Sequence, residues 1–74
     1  MTQYRFPVVI EKDEDGYFAF CPELQGCYTQ GDTYEEALRN IEDCIRLHVE
    51  DRLAIGEEIP QHEQVSLTTL AVAV

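Results

Sequence analysis

Residues 3–11, QYRFPVVIE, alternate between apolar and polar side chains. The alternation places four apolar residues on one face: Tyr4, Phe6, Val8 and Ile10. A period of two residues is typical of a β-strand that is buried on one face. Pro7 has no N–H group to donate to a neighbouring strand. We therefore predict a first strand whose side at Pro7 is an edge or a bulge of the sheet.

Two more strands are predicted before residue 31. Asp15-Gly16 lies between two apolar segments, and glycine adopts the backbone angles of a tight hairpin turn without steric cost. Residues 17–21, YFAFC, are rich in aromatic side chains that favour a pleated sheet. Pro22 ends this second strand, and the short connection PELQG leads to a third strand around residues 27–30. So short a connection predicts that the two strands are direct antiparallel neighbours.

A single long helix is predicted after the third strand. Thr33 and Glu36 have the spacing of a capping box, in which each side chain accepts a hydrogen bond from a free backbone N–H. Apolar residues then recur at helical spacing, namely Tyr34, Ala37, Leu38, Ile41, Cys44, Ile45, His48, Val49 and Leu53. Gly56 supplies a C-terminal stop. The pattern predicts one amphipathic helix of about five turns between Thr33 and Gly56.

Residues 65–74, VSLTTLAVAV, predict a final strand whose two faces are both apolar near its end. Such a strand is usually covered on both faces, and one helix cannot cover both. We therefore expect a second subunit to complete the cover, with an oligomer interface at Leu70, Val72 and Val74. The predicted order β-β-β-α-β describes one α+β domain over residues 1–74. Its helix lies on a three-stranded antiparallel meander, and its fourth strand runs parallel to the first.

Composition adds that the domain is small and strongly acidic. A chain of 74 residues buries only about 60% of the surface that its unfolded form exposes, which also favours oligomerisation. The chain has 15 Asp and Glu residues against 5 Lys and Arg residues, a formal net charge of −10. This charge repels phosphate and disfavours direct binding to nucleic acid. It suits a basic protein partner, or it serves solubility alone.

The sequence shows no sign of secretion or membrane insertion. Residues 1–7, MTQYRFP, lack the apolar run of a signal peptide, and no stretch approaches the roughly 18 apolar residues of a membrane span. Three cysteines do not suit a secreted disulfide scaffold. We expect a cytoplasmic protein without membrane contact.

No set of residues predicts catalysis, a cofactor or a bound metal. Cys21, Cys27 and Cys44 lack the short spacing of a zinc site. We expect His48 to be a half-buried packing residue and His62 an exposed spacer. The acidic hairpin lacks the spacing of a calcium loop, and the carboxylates do not converge as a two-metal nuclease requires. A hydrolase that uses Cys21 or Cys27 is the least favoured alternative, because an acidic chain does not activate a thiol.

Three motifs occur in order between residues 6 and 45: Asp15-Gly16-Tyr17, Pro22-x-Leu24-x-Gly26-Cys27, and Gly31-Asp32-Thr33-x-Glu35-Glu36-Ala37. In order and spacing they resemble the HicB family, the antitoxin half of HicAB toxin–antitoxin pairs, and the resemblance covers about residues 3–60. It implies a degraded ribonuclease H-like domain without nuclease activity. It also implies binding to a small basic HicA-type toxin, an mRNA-cleaving ribonuclease whose RNA-binding or catalytic surface the antitoxin masks.

The resemblance has one departure and leaves one alternative. Longer HicB proteins carry a C-terminal DNA-binding domain that residues 1–74 do not contain, so operator binding is not expected. Acidic side chains can occupy toxin sites meant for phosphates, and we predict a partner-binding set of five residues: Asp13, Glu14, Asp15, Tyr17 and Glu23. The alternative is an orphan interaction domain that has no toxin and only self-associates. Either kind of protein is expected to form a homodimer or a homotetramer.

Overall fold

The computed structural model of the protein describes residues 3–59, 61 and 64–74. It contains three short strands followed by one helix: β1 (Val9–Asp13), β2 (Gly16–Phe20), β3 (Tyr28–Gly31) and α1 (Tyr34–Ala54). The strands form one antiparallel sheet in the order β1-β2-β3, and α1 packs against all three strands. The α+β class and the order β-β-β-α are confirmed. β1 is an edge strand, and Pro7, where an edge or a bulge was predicted, lies before its first residue.

β1 and β2 form the predicted hairpin. Asp13 pairs with Gly16, so that the loop consists of Glu14 and Asp15. The Asp15 N–H donates a hydrogen bond of 2.8 Å to Asp13 Oδ1. Gly16 has a φ of 130°, an angle that glycine adopts far more readily than other residues. The hairpin glycine thus begins β2 and does not stand in the loop itself.

The connection between β2 and β3 folds into two overlapping turns. The Leu24 N–H donates to the Cys21 carbonyl, and the Cys27 N–H donates to the Leu24 carbonyl, both at 3.2 Å. The Cys21 N–H donates to the Cys27 carbonyl at 3.0 Å and closes the loop. Leu24 is thereby turned into the core, where 2% of its surface is exposed. This burial accounts for the leucine between Pro22 and Gly26 in the sequence motif.

α1 has the two ends that its capping residues predict. The Glu36 N–H donates a hydrogen bond of 3.1 Å to Thr33 Oγ1. The Glu36 carboxylate accepts from the Asp32 N–H at 3.4 Å, so this half of the capping box is displaced by one residue. At the other end Gly56, with a φ of 80°, donates its N–H to the Leu53 carbonyl at 3.1 Å. A glycine in this conformation is a common way to end a helix.

The core lies between α1 and the inner face of the sheet. Its most buried residues, each at most 3% exposed, are Ala19, Cys21, Leu24, Cys27, Ala37 and Ile41. Thr29 on β3 donates its hydroxyl to the Ala37 carbonyl at 3.5 Å, and Gly31 faces the Ala37 backbone directly. Small residues at these positions allow α1 to approach β3 closely.

Two segments that the sequence predicted as strands are not strands. β1 begins at Val9, although the preceding residues still place Phe6 and Val8 against the core. The prediction of a fourth strand over residues 65–74 is wrong, because in the described chain these residues pair with no strand and are exposed. Their apolar character predicted burial, but a strand also needs a neighbour for its backbone hydrogen bonds. In the described chain the edges at β1 and β3 do not pair with residues 65–74. The ribonuclease H-like relationship stays a prediction.

Candidate interaction surfaces

The β1–β2 hairpin gathers four of the five residues predicted to bind a partner. Asp13, Glu14 and Asp15 are all exposed at the hairpin tip, and Tyr17 follows on β2. Lys12 Nζ lies 5.8 Å from the centre of the Tyr17 ring, and the Tyr34 ring meets Tyr17 edge-on at 6.4 Å. This end of the sheet therefore presents three carboxylates next to two tyrosine rings.

Glu23 does not belong to the same surface. It is half-buried in the connection that follows β2, whereas the hairpin precedes β2. A strand of five residues is roughly 17 Å long, so the length of β2 separates Glu23 from the hairpin carboxylates. The predicted set therefore divides into a hairpin cluster and one residue at the opposite end of the sheet.

Sequence reasoning missed an aromatic surface on the outer face of the sheet, away from α1. Val9, Phe20 and Tyr28 pair across the three strands. The Phe18 ring lies 6.0 Å from Tyr28 and 5.9 Å from Phe20, and Tyr28 is 62% exposed. The signal was present in the segment YFAFC, because strand alternation puts both phenylalanines opposite the buried Ala19. We call Val9, Phe18, Phe20 and Tyr28 the aromatic face.

A second apolar surface lies at the other side of the domain, between residues 4–8 and α1. Two adjoining cavities of about 270 and 260 Å³ share Tyr4, Phe6, Glu42 and Ile45 in their lining. The remaining apolar side chains of the lining are Val8, Leu38, Ile41 and Val49. We call this depression the groove.

Residues 64–74, here called the tail, carry the three residues predicted to form an oligomer interface. Leu70 is 81% exposed, Val72 is 79% exposed, and Val74 is fully exposed. Within the described chain the tail thus buries none of these side chains, and the groove remains open. The predicted interface residues are available to a partner, although no contact of theirs tests the prediction.

The structure also brings together three side chains that are remote in sequence. Cys27 Sγ lies 3.2 Å from Cys44 Sγ, and His48 stands one turn further along α1. The ligand atoms of these three residues lie within 4.8 Å of one another. The sequence offered only the helical spacing of Cys44 and His48 as a signal, because Cys27 comes from the loop before β3. His48 is half-buried, as expected, and His62 lies outside the described residues.

The protonation of Cys27 limits what this cluster can do. Burial, with a further contribution from Cys44, raises the pKa of the Cys27 thiol to about 12. Burial also raises the pKa of Cys21. A nucleophile must be a thiolate, and near neutral pH the raised pKa favours the thiol form of these two cysteines. Their environment is that of small apolar core residues, and it gives no support to a hydrolase built on Cys21 or Cys27.

The geometry therefore offers surfaces for binding, and comparison with known proteins places the chain in a family. Residues 6–71 match the family model for the HicB-like antitoxin of bacterial toxin–antitoxin systems. The chain belongs to this family. The match contains all three sequence motifs and extends beyond α1 into the tail. Family membership supports an antitoxin role and a toxin partner, and it is in keeping with a non-catalytic protein.

Individual relatives agree with the family match. A UPF0150 protein of Synechocystis is 44% identical over 63 residues, which are 84% of this chain and 80% of that protein. A UPF0150 protein of Thermoplasma acidophilum is 43% identical over 68 residues, 90% of this chain and 99% of the relative. Antitoxin HicB 1 of Photorhabdus laumondii is 40% identical over 57 residues, 76% of this chain but 37% of that antitoxin. The similarity to this antitoxin therefore concerns about a third of its length.

The search for similar solved structures and the search for membrane-spanning helices both gave negative results. No solved structure matches the chain. Within the described residues, no helix has both the length and the apolar composition needed to cross a membrane.

Proposed function

We propose that this chain is an antitoxin that binds a small basic HicA-type toxin. By covering the surface with which the toxin binds or cleaves mRNA, it prevents the toxin from reaching its substrate. The observation that carries the proposal is the family match over residues 6–71. The encounter takes place in the cytoplasm, where a toxin of this type meets mRNA.

The charge of the chain supports a basic partner. A formal charge of −10 attracts a basic protein over distances of about 10 Å at moderate salt and accelerates the encounter. The hairpin carboxylates of Asp13, Glu14 and Asp15 are exposed and can take the positions of RNA phosphates on the toxin. We propose that this hairpin cluster contacts the toxin directly, together with Tyr17. Glu23 would contribute only to a contact that extends along the full length of β2.

The aromatic face offers apolar anchoring to the same partner. Aromatic side chains are enriched in the buried centres of protein interfaces, with polar residues around them. Phe18 and Tyr28 lie on the outer face of the sheet. Glu11 of β1, which is exposed, is the cross-strand partner of Phe18. An aromatic centre with an acidic margin fits a basic protein better than it fits nucleic acid.

Co-expression with the toxin tests the proposal. A small basic protein encoded beside this chain should arrest growth alone, co-purify with the chain, and lose its toxicity when both are expressed. If the adjacent frame encodes no such protein, or if the two do not co-purify, the proposal fails.

A pair of charge-reversal variants separates a specific contact from general attraction. In the first variant Asp13, Glu14 and Asp15 become Lys, which moves the formal charge from −10 to −4, because each reversal adds two charges. The matched control reverses three exposed acids elsewhere by the same amount: Asp51, Glu57 and Glu58. The hairpin variant should lose at least tenfold in toxin affinity while the control changes little. Equal losses in the two variants would show that the hairpin has no direct role.

The second candidate function is an orphan domain that has no toxin and only self-associates as a homodimer or homotetramer. The exposed apolar tail favours it, because such a segment is usually covered by a partner. A stable homo-oligomer that gives no protection against the toxin would support this candidate over the first.

A further inference from the structure

The groove and the tail have complementary chemistry. The groove is lined by seven apolar side chains of residues 4–8 and α1, together with Glu42, Arg46 and Glu50. The tail contains no Asp, Glu, Lys or Arg, although the chain as a whole carries 15 acidic and 5 basic residues. An uncharged segment of this length in so acidic a protein matches an apolar binding site.

The course of the chain after α1 leads to the mouth of the groove. Arg5 donates its N–H to Gln61 Oε1 at 2.7 Å, and Gln61 Nε2 donates to the Arg5 carbonyl at 3.1 Å. The Gln61 side chain thus forms the pair of hydrogen bonds that a neighbouring strand would form with Arg5. Arg5 stands between Tyr4 and Phe6, which line the groove. The tail therefore starts beside the groove of its own chain, yet its large side chains remain exposed.

The dimensions of the two parts agree. From Leu38 to Val49 the groove follows α1 for roughly 17 Å, at 1.5 Å per residue. An extended segment covers that distance with about five residues. Residues 70–74 are sufficient, and residues 64–69 then form a connection of up to about 20 Å between two molecules. In an extended segment Leu70, Val72 and Val74 share one face, and the small Ala71 and Ala73 share the other.

We propose that two copies of this chain form a dimer by exchanging their tails. The tail of each copy lies in the groove of the other, with Leu70, Val72 and Val74 against Phe6, Leu38 and Ile45. The arrangement is reciprocal, as a two-fold dimer requires. The occupant is a second copy because the apolar side chains of the tail do not lie in the groove of their own chain, and because an uncharged tail is not repelled by Glu42 and Glu50 in the lining. This inference does not depend on a toxin.

Sedimentation equilibrium on the full chain, over a range of concentrations, tests the exchange. The wild-type protein should have twice the 8.5 kDa mass of the chain. Val72→Asp, in the tail, and Leu38→Asp, in the groove, should each weaken dimerisation at least tenfold, because each places a charge in the apolar contact. The matched control is Leu47→Asp. Leu47 is also an exposed leucine of α1, 61% against 42% for Leu38, but it lies outside the groove lining, and this variant should remain dimeric.

Mixing the two weakened variants gives the sharpest result. The Val72→Asp chain keeps its groove and the Leu38→Asp chain keeps its tail, so a mixed dimer has one intact contact. One Asp is expected to break the contact that contains it, so each variant alone keeps no intact contact, and the mixture, which keeps one, should dimerise more tightly than either. Circular dichroism of each variant checks that its fold is retained, and Val72→Asp lies too far outside the core to affect it.

Three outcomes would overturn the exchange. The first is a wild-type protein that stays monomeric at the highest concentration. The second is a Val72→Asp variant that dimerises as the wild type does. The third is a Leu38→Asp variant that dimerises normally while Val72→Asp does not, because tails would then pair with a site other than the groove. None of these outcomes bears on toxin binding, which the co-expression experiment tests separately.

Discussion

Replacing Gly31 by alanine probes the contact that fixes the helix on the sheet. Gly31 is the last residue of β3 and is buried. A methyl group on it would lie 2.5 Å from the Ala37 nitrogen, 2.9 Å from the Ala37 Cα and 3.0 Å from the Glu36 carbonyl carbon. All three atoms belong to the backbone of α1 and cannot be moved by a change of rotamer. The variant must therefore displace the start of α1 from β3.

The expected loss of stability in Gly31→Ala is large relative to the total stability of so small a domain. Forcing extra volume into a packed core costs roughly 1–3 kcal/mol, occasionally more, and we expect about 3 kcal/mol because the obstacle is main chain. A domain of 74 residues has a total stability of roughly 4–11 kcal/mol. The melting temperature Tm should fall by roughly 12–24 °C, at 4–8 °C for each kcal/mol.

Thermal unfolding followed by circular dichroism measures this change, at one fixed protein concentration because dimerisation would alter Tm. The control is Gly56→Ala. Gly56 has a φ of 80°, and a Cβ added to it would lie in open space. Gly56→Ala should therefore lose only the free energy that a left-handed backbone costs an alanine, about 1 kcal/mol. If Gly31→Ala unfolds at the same temperature as Gly56→Ala or higher, the close contact between β3 and α1 is not the constraint on this position.

The remaining predictions concern the helix cap, the loop leucine and the buried thiol. Thr33→Ala should destabilise the fold by about 1 kcal/mol in urea denaturation, because Glu36 loses its hydrogen-bond acceptor. Thr33→Ser should keep most of that stability. If Thr33→Ser and Thr33→Ala are destabilised equally, the Thr33 hydroxyl does not stabilise the start of the helix. Leu24→Ala should cost roughly 2–5 kcal/mol as a buried truncation, whereas Leu47→Ala on the surface should cost under about 0.5 kcal/mol, and similar values would contradict the core position of Leu24. For Cys27, burial raises the folded-state pKa from 9.0 to about 12, so its contribution to stability is complete below pH 9 and is lost as the pH rises towards 12. The unfolding free energy of the wild-type protein should fall by about 1 kcal/mol between pH 8 and pH 10. In Cys27→Ala it should fall by less. An equal fall in the two proteins would contradict the raised pKa of Cys27.

Local patterns were enough to predict the elements that depend on neighbours in sequence. The hairpin, the second and third strands and the helix all follow from signals within a few residues, such as Gly16 at a turn or Thr33 at a cap. The helix ended where Gly56 predicted, because the cap satisfies its own last carbonyl groups. Element order and fold class were therefore accessible from the sequence.

The errors fell where structure depends on distant partners. The apolar tail predicted a strand, but a strand forms only where it pairs with another strand, and no local pattern reveals whether the tail pairs with an edge of the sheet. The cluster of Cys27, Cys44 and His48 joins a loop to a helix, and only the helical spacing of Cys44 and His48 is visible in the sequence. Four of the five proposed binding residues were chosen for their negative charge, and Tyr17 for its place beside the hairpin. Their separation into a hairpin cluster and Glu23 depends on which end of β2 each one occupies.

An RNA-cleavage assay tests the central claim most directly. The purified toxin is incubated with an mRNA substrate, and this chain is added in increasing amounts, with the hairpin variant and its matched charge control in parallel. The account predicts that cleavage stops once the chain saturates the toxin, at a fixed molar ratio of chain to toxin. It also predicts that the hairpin variant requires at least tenfold more protein than the control. Full cleavage in the presence of excess chain would contradict the antitoxin function.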